Sequence, residues 1–320
     1  MILIKRIPVR PNLEIVSRRR LTLAFSAVLM VAALLLTALQ GLNFGVDFRG
    51  GILMEVRTEA KEADLGRFRE TLNGLNLGDA SIQRFGEPDT VLINIQEQDG
   101  GAEAQQAAIE KVRAALDPRV ADYRRVEFVG PKVGEELKRA GIMATGLALL
   151  AMAVYIWFRF EWQFAAAGLI ALIHDVTATI GFFALTQLEF TLGTVAAVLT
   201  IAGYSINDTV VIFDRVRETM RRYKRKSMPV ILNMAVNATL TRTLLTSGTT
   251  LIALLALAIF GGAVIRSFTW GLIFGVLIGT YSSVGLAVPM LMYFGVKPTS
   301  LSQDEETDKE AAERAAGPAS

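Results

Sequence analysis

An aspartate interrupts an apolar segment that is long enough to cross a membrane. Asp208 lies within residues 192–213, and a second ionisable residue, Arg242, begins a later apolar segment. A charge at the centre of a bilayer costs about 3 kcal/mol on insertion scales, so such residues usually face the interior of a helix bundle. They also mark the paths of ions or protons. The pair therefore predicts ion or proton transfer.

Polar residues surround Asp208 at helical spacing. The periodicity places Tyr204 on the same face as Asp208, with Ser205 beside them and Asn207 on the flank. Tyrosine and serine hydroxyls can hydrogen-bond a carboxyl group that lies one helical turn away. We therefore predict that Tyr204, Ser205 and Asn207 support the chemistry of Asp208.

Arg242 needs an anion if it enters the hydrocarbon region, because arginine stays charged. Thr246 and Thr249 share its helical face, and the available anions are Asp208 and Asp175. The alternative is that the long side chain of Arg242 extends to the cytoplasmic surface.

The single histidine of the chain, His174, precedes Asp175 near the middle of another apolar segment. Polar groups in lipid must be satisfied within the protein, so one interpretation is that both side chains hold neighbouring helices together. The other interpretation is a titratable relay, since histidine ionises near neutral pH. The sequence leaves both interpretations open.

Six apolar segments could carry these residues through a membrane, which requires about 20 residues each. They are residues 20–40, 137–158, 163–186, 190–213, 243–262 and 267–294. Basic residues cluster before the first segment and after the fourth, and positive charge is typical of cytoplasmic loops. We therefore expect residues 1–19, a basic loop 214–240 and an acidic, disordered tail 297–320 to be cytoplasmic. Residues 20–40 and 134–296 then hold the six transmembrane helices, and residues 41–133 form an external domain.

The external domain has the pattern β-α-β-β-α-β, which is typical of a ferredoxin-like α+β fold. The predicted elements are strands 51–57, 81–85, 90–95 and 123–129 and helices 63–75 and 102–116. The domain has no histidine, and the whole chain has no cysteine. We expect a binding or mechanical domain, no enzyme activity, no cofactor and no metal.

Residues 44–51, here called the junction motif, connect the first apolar segment to this domain. Asp47 and Arg49 lie among glycines and aromatic residues, followed by Gly50 and Gly51. Glycines supply the positive φ angles of tight turns, so the motif predicts a turn in which both charges satisfy local backbone groups. Such a turn could also fix how the domain sits on the membrane helices.

Small residues recur every four positions in the sixth apolar segment, at Gly271, Gly275, Gly279 and Ser283. A stripe of this kind lets another helix approach closely. The second helix could belong to this chain or to a partner subunit.

The sequence resembles the SecF family, the smaller membrane subunits of the bacterial SecD-SecF accessory complex. The resemblance covers about residues 1–296, and the motifs that carry it are residues 44–51, 174–175, 203–218, 242–250 and 279–283. It implies a six-helix half of a resistance-nodulation-division bundle, with SecD as the obligate other half. It also implies a multi-pass protein of the bacterial inner membrane with both termini in the cytoplasm.

The resemblance further implies use of the proton-motive force for protein export after the ATP-driven motor step. The partners would be the SecYEG channel, YidC/YajC-type accessory proteins and the preprotein in transit, and no nucleic acid. Asp208 and Arg242 match the proton path of the family, whereas Asp175 and His174 match it less specifically. The alternatives are an efflux-type subunit of the same superfamily and a structural assembly factor of the translocase.

Overall fold

Apolar helices and one small sheet make up the part of the chain that the computed structural model describes, residues 13–78, 80–262 and 264–296. Most of the basic N-terminus and the acidic tail, predicted from residues 1–19 and 297–320, lie outside the described residues. A short 3₁₀ turn, Val16–Arg18, leads into the first helix.

The elements follow one another without long connections, apart from the loops of the external domain. In chain order they are α1 (Arg19–Gln40), α2 (Val46–Arg49), β1 (Gly51–Thr58), α3 (Leu65–Asn73), β2 (Ala80–Phe85), β3 (Glu87–Ile95), α4 (Gly101–Leu116), β4 (Val120–Val129), α5 (Pro131–Arg159), α6 (Trp162–Thr186), α7 (Leu192–Arg222), α8 (Met228–Phe260), α9 (Arg266–Ser282), a π-helix (Ser283–Ala287) and α10 (Val288–Tyr293).

Within the described residues, six helical segments are long and apolar enough to cross a membrane. They are α1, α5, α6, α7, α8 and the continuous run from α9 to α10, which confirms the predicted six-helix architecture. Most of α6 and of the α9–α10 run is buried, as is half of α7, whereas α1, α5 and α8 expose most of their apolar residues. The bundle therefore has a central group of three helices, and this group contains most of the polar residues discussed below.

The external domain is a four-stranded sheet with two helices on one face. The strand order is β2-β3-β1-β4, and every neighbouring pair is antiparallel. Side chains from β1 and β3, including Met54 and Ile93, pack with Phe68 of α3 and Val112 of α4. On the opposite face, Leu53 and its neighbours contact α2. This arrangement confirms the ferredoxin-like prediction, because it has both the predicted order of elements and the sheet topology of that fold.

The basic segment 214–240 is mostly helical, and the prediction of a loop there was wrong. α7 continues to Arg222 and α8 begins at Met228, so only residues 223–227 connect them. Arginine and lysine are good helix formers, so positive charge ends the apolar segment without ending the helix. Arg159 at the end of α5 supports the extension by donating to both carboxylate oxygens of Asp214 at 2.7 Å.

Candidate site for proton transfer in the helical bundle

Asp208 is buried inside the bundle without a hydrogen-bond partner for one of its oxygens. Only 4% of the residue is exposed, and its Oδ2 atom has no partner among the described residues. Ser205 and Ile212, at helical spacing from Asp208, are buried as well. This face of α7 therefore packs against neighbouring helices. An unpaired buried carboxylate is costly, so the site has an unused capacity to bind a proton or a polar partner.

α7 and α8 are joined by a hydrogen bond one helical turn before Asp208. The Tyr204 hydroxyl donates to Ser247 Oγ of α8 at 3.1 Å. Thr243 of α8 also has a buried hydroxyl that has no partner in the described part of the chain.

Arg242 does not pair with Asp208, contrary to one of the expectations from the sequence. Within the described residues, no ion pair of 4.0 Å or less joins them, although Arg242 remains within electrostatic range of Asp208. The reason is helix rotation: Thr243 is buried in the bundle, and the adjacent residue points about 100° away around the helix. Arg242 is exposed on the outer surface of the bundle with Thr246 and Thr249.

Asp175 and His174 are both fully buried and form a compact hydrogen-bonded cluster. His174 Nδ1 lies 2.8 Å from Asp175 Oδ1. Ser205 of α7 and Ser282 of α9 each donate to Asp175 Oδ2 at 2.5 Å. The carboxylate therefore joins α6, α7 and α9, and it has the partners that Asp208 lacks. His174 Nε2 has no partner among the described residues.

Three consecutive residues of α9 connect that helix to three different neighbours. Thr280 bonds Ser247 of α8 at 2.7 Å, Tyr281 donates to the Thr22 carbonyl oxygen of α1 at 2.8 Å, and Ser282 donates to Asp175. Their polarity and spacing predict no role for these three residues, and only their inclusion in the 279–283 motif could have indicated one. The π-helix begins immediately after them, and such irregularities are frequent at functional sites.

The glycine stripe of α9 packs inside this chain. A Cβ atom on Gly271 would lie 2.7 Å from Phe183 Cζ of α6, and one on Gly279 would lie 3.1 Å from Ser205 Cβ of α7. Gly275 likewise faces Ile201, and Ser283 is buried and donates to the Thr280 carbonyl oxygen. The stripe therefore brings α9 against α6 and α7.

The junction motif differs from the predicted turn. Its charged residues lie in the short helix α2, and Asp47 Oδ2 accepts a hydrogen bond from the distant Leu192 N–H at 2.9 Å. Gly50 and Gly51 have φ angles of +72° and +106°, which favour glycine. A Cβ atom on Gly51 would lie 2.5 Å from the Ile95 carbonyl oxygen. Arg49 is exposed.

Glu189, which the sequence analysis did not select, lies beside this motif in the connection between α6 and α7. Burial raises the pKa of its carboxyl group, Arg125 opposes that effect, and the negative charge of Asp47 adds to it. Among the described residues, no group of three or more His, Cys, Asp or Glu side chains could hold a metal ion.

Six apolar helices around a polar centre, with a ferredoxin-like domain inserted after the first, define a multi-pass membrane protein. Two family models match the chain: the C-terminal model of protein export membrane protein SecD/SecF over residues 108–297, and the SecD/SecF GG motif over residues 36–62.

Full-length relatives agree with the family models. The chain is 45% identical to protein translocase subunit SecF of Cereibacter sphaeroides over 97% of this chain and 98% of that relative. It is 48% identical to SecF of Magnetococcus marinus over 88% of this chain and 91% of that one. The chain therefore belongs to the SecF family of protein translocase subunits.

The fold is similar to that of a solved structure of SecDF, a translocon-associated membrane protein from Thermus thermophilus. The TM-score is 0.81 with 32% identity, and the similarity covers 89% of this chain but only 39% of that chain. A SecDF structure in a super-membrane-facing form gives a TM-score of 0.65 with 30% identity, covering 94% of this chain and 40% of that one. This chain therefore spans about two fifths of each solved SecDF chain.

Proposed function

We propose that this chain uses the proton-motive force to promote protein export, with proton binding at Asp208 coupled to movement of the external domain. The observation that carries the proposal is the buried Asp208 carboxyl group with an unpartnered oxygen. A charged carboxylate in this position is costly, and a bound proton removes the charge. Each protonation step therefore changes the forces between α7 and its neighbours.

The energy available is sufficient for a conformational change. Moving one elementary charge through a potential of 100 mV supplies about 2.3 kcal/mol, before any pH difference is added. The dense packing of α7 against α8 and α9 favours transmission of a local change, since packed cores have discrete arrangements.

A second membrane subunit is part of the proposal. α7 and α8 expose a face of small and polar residues, here called the open face, which consists of Thr200, Gly203, Asn207, Arg242, Thr246 and Thr249. Polar side chains facing lipid are unfavourable, whereas α1 and α5 expose large apolar residues such as Leu39 and Phe158. We propose that SecD covers the open face and supplies the anion for Arg242. The additional length of the solved SecDF chain supports this assignment.

The remaining assignments follow from family membership and charge distribution. Arg18, Arg19 and Arg20 lie at the start of α1, and the basic residues around the end of α7 lie at the same end of the bundle, since Leu13 and Glu14 line one cavity with Arg215 and Arg222. The positive-inside rule supports a cytoplasmic N-terminus and C-terminus, with the external domain outside. Family membership supports residence in the bacterial inner membrane. The proposed partners beyond SecD are SecYEG, YidC/YajC-type proteins and the preprotein. No bond chemistry and no cofactor form part of the proposal.

Asp175 has a different proposed role, because its oxygens already have three partners. We assign it to holding α6, α7 and α9 together. This assignment replaces a proton relay through His174 and Asp175.

The proposal is tested with Asp208→Asn in membrane vesicles that contain the complete translocase and an imposed proton gradient. Asparagine keeps the shape of aspartate but cannot bind and release a proton. We expect the gradient-stimulated part of export to be lost while ATP-driven export remains. Asp214→Asn is the matched control, because Asp214 lies on the same helix in an exposed ion pair. Normal stimulation in Asp208→Asn at normal protein levels would contradict the proposal.

A further inference from the structure

The junction motif is attached directly to the outer end of the helix that carries Asp208. Asp47 Oδ2 accepts a hydrogen bond from Leu192 N–H, the first backbone group of α7, at 2.9 Å. The α7 terminus already has its own capping box from Thr191 and Thr194. Asp47 therefore adds a contact from outside the helix to a terminus that is capped locally.

Backbone hydrogen bonds strengthen this attachment. Gly45 N–H donates to the Phe190 carbonyl oxygen at 2.9 Å, and Phe190 N–H donates to the Asn43 carbonyl oxygen at 2.7 Å. The approach is close, because a Cβ atom on Gly45 would lie 2.8 Å from Thr191 Cγ2. Residues 43–45 therefore lie alongside the residues that immediately precede α7.

The other side of the junction motif is joined to the external domain and to α5. α2 continues through Gly50 into β1. It also packs closely against α5, since a Cβ atom placed on Gly134 of α5 would lie 3.3 Å from Gly50 N and 3.5 Å from the Asp47 carbonyl oxygen. A displacement of α2 thus acts on β1, one of the two central strands of the sheet. α2 lies between α5, the external sheet and the outer end of α7.

α7 can transmit a displacement over this distance. It is one uninterrupted α-helix from Leu192 to Arg222 without proline, and Asp208 is sixteen residues, about 24 Å, from Leu192 at a rise of 1.5 Å per residue.

We infer that Asp47 is a positioning residue that couples the movement of α7 to the external domain through its hydrogen bond to Leu192. This inference rests on the proposed function, in which the state of Asp208 displaces α7. Asp47 lies in the junction motif, away from the proposed proton site at Asp208.

The first test compares Asp47→Ala with Asp47→Asn and Asp64→Ala in translocase vesicles. Asn keeps an oxygen that can accept from Leu192 N–H. Asp64 is a matched control, because it caps α3 of the same domain by accepting from Gly66 and Arg67 N–H. The chain has no cysteine, so one dye on Ser81→Cys, an exposed position of β2, can report domain movement. The readouts are gradient-driven proton uptake, export and dye response.

Asp47→Ala is expected to lower the gradient-driven dye response and export about tenfold, since loss of one charged hydrogen bond changes an equilibrium by about that factor. Proton uptake should persist, which a purely structural role would not predict. Asp47→Asn should retain most of the response, and Asp64→Ala all of it. Unchanged export and dye response in Asp47→Ala, or equal loss of all three readouts, would overturn the inference.

A second test does not depend on a proton gradient. Hydrogen exchange of residues 41–50 is compared in the wild-type complex, Asp208→Asn, Asp47→Ala and the double variant, which form a double-mutant cycle. Asp208→Asn should change exchange in this segment several-fold, and the change should vanish when Asp47 is replaced. Additive effects would overturn the inference, whereas absent proton uptake in the wild-type complex would contradict only the proposed function.

Discussion

Asp175 and Asp208 lie in the same bundle but have opposite hydrogen-bonding environments. Asp175 receives two serine hydroxyls and contacts an imidazole, whereas one oxygen of Asp208 has no partner in the described residues. A satisfied buried polar cluster makes a core rigid and specific, and an unsatisfied group is where a proton or partner can act. The two residues are therefore expected to respond differently to substitution.

The serine donors of Asp175 should contribute measurably to stability. Ser282→Ala removes one of two hydroxyl donors to a buried carboxylate, which should lower the free energy of unfolding by about 1.5–3 kcal/mol. The measurement is unfolding of the detergent-solubilised protein. The control is Thr186→Ala, because the Thr186 hydroxyl is exposed and bonds only a carbonyl oxygen of its own helix. Equal effects of the two substitutions would contradict the prediction.

Glu189 should give the stability of the protein a specific pH dependence. Because burial raises its pKa above the ordinary value of 4.5, the folded state binds the proton more tightly than the unfolded state. Its contribution to stability is therefore greatest below pH 4.5 and is lost as the pH rises through the raised pKa. Glu189→Gln should stabilise the protein at neutral pH, with a gain that shrinks on acidification. Thermal unfolding of the wild-type protein and Glu189→Gln from acidic to neutral pH measures the difference in stability. A gain in stability that does not change with pH would contradict the prediction.

At the scale of elements, close helix packing depends on glycines that have no room for a side chain. The α9 glycines approach α6 and α7, and Gly181 of α6 provides the same kind of contact with α1. The Gly181 contact is the tighter constraint, because a Cβ atom there would lie 2.6 Å from the Ala33 Cα atom. A backbone atom cannot move away as a flexible side chain can.

Gly181→Ala should therefore separate α1 from α6. We expect a loss of about 1–3 kcal/mol in the free energy of unfolding, the usual effect of overpacking. Gly146→Ala on α5 is the matched control, since a Cβ atom there meets nothing within 4 Å. The two variants are compared by unfolding in detergent, and an equally stable Gly181→Ala would refute the expectation.

At the scale of the whole molecule, the open face distinguishes this chain from a self-sufficient bundle. Large apolar side chains cover α1 and α5, as expected for contact with lipid. α8 exposes large apolar residues as well, such as Ile252 and Phe260, but α7 and α8 also expose threonines, an asparagine and an arginine. This asymmetry fits the proposal that one side of the bundle contacts protein rather than lipid.

A bulky residue on the open face should block association with SecD without disturbing this chain. Nothing lies within 4 Å of a Cβ atom on Gly203, so the Gly203→Phe variant should fold normally. Its association with SecD should weaken about tenfold, which corresponds to about 1.4 kcal/mol. Co-purification of SecD measures the effect. Gly146→Phe is the control on α5, where the substitution would face lipid, and equal recovery of SecD from both variants would exclude the open face as the interface.

The sequence alone determined the properties that depend on local patterns. The lengths of the apolar segments predict the six helices, alternating and helical periodicities predict the β-α-β-β-α-β order, and the position of Asp208 in an apolar helix indicates a buried charge. These properties follow from hydrophobicity and backbone geometry over a few turns or strands. They were sufficient to predict the fold and the burial of Asp208.

Only the tertiary structure decided which polar groups meet. Asp175 contacts serines 30 and 107 residues away, and Asp47 contacts a backbone amide 145 residues away. Arg242 is exposed whereas the adjacent Thr243 is buried because of how α8 is rotated. Rotation and register are set by packing of the whole bundle, since a difference of one residue turns a helical side chain by about 100°, and no local pattern in the sequence specifies that angle.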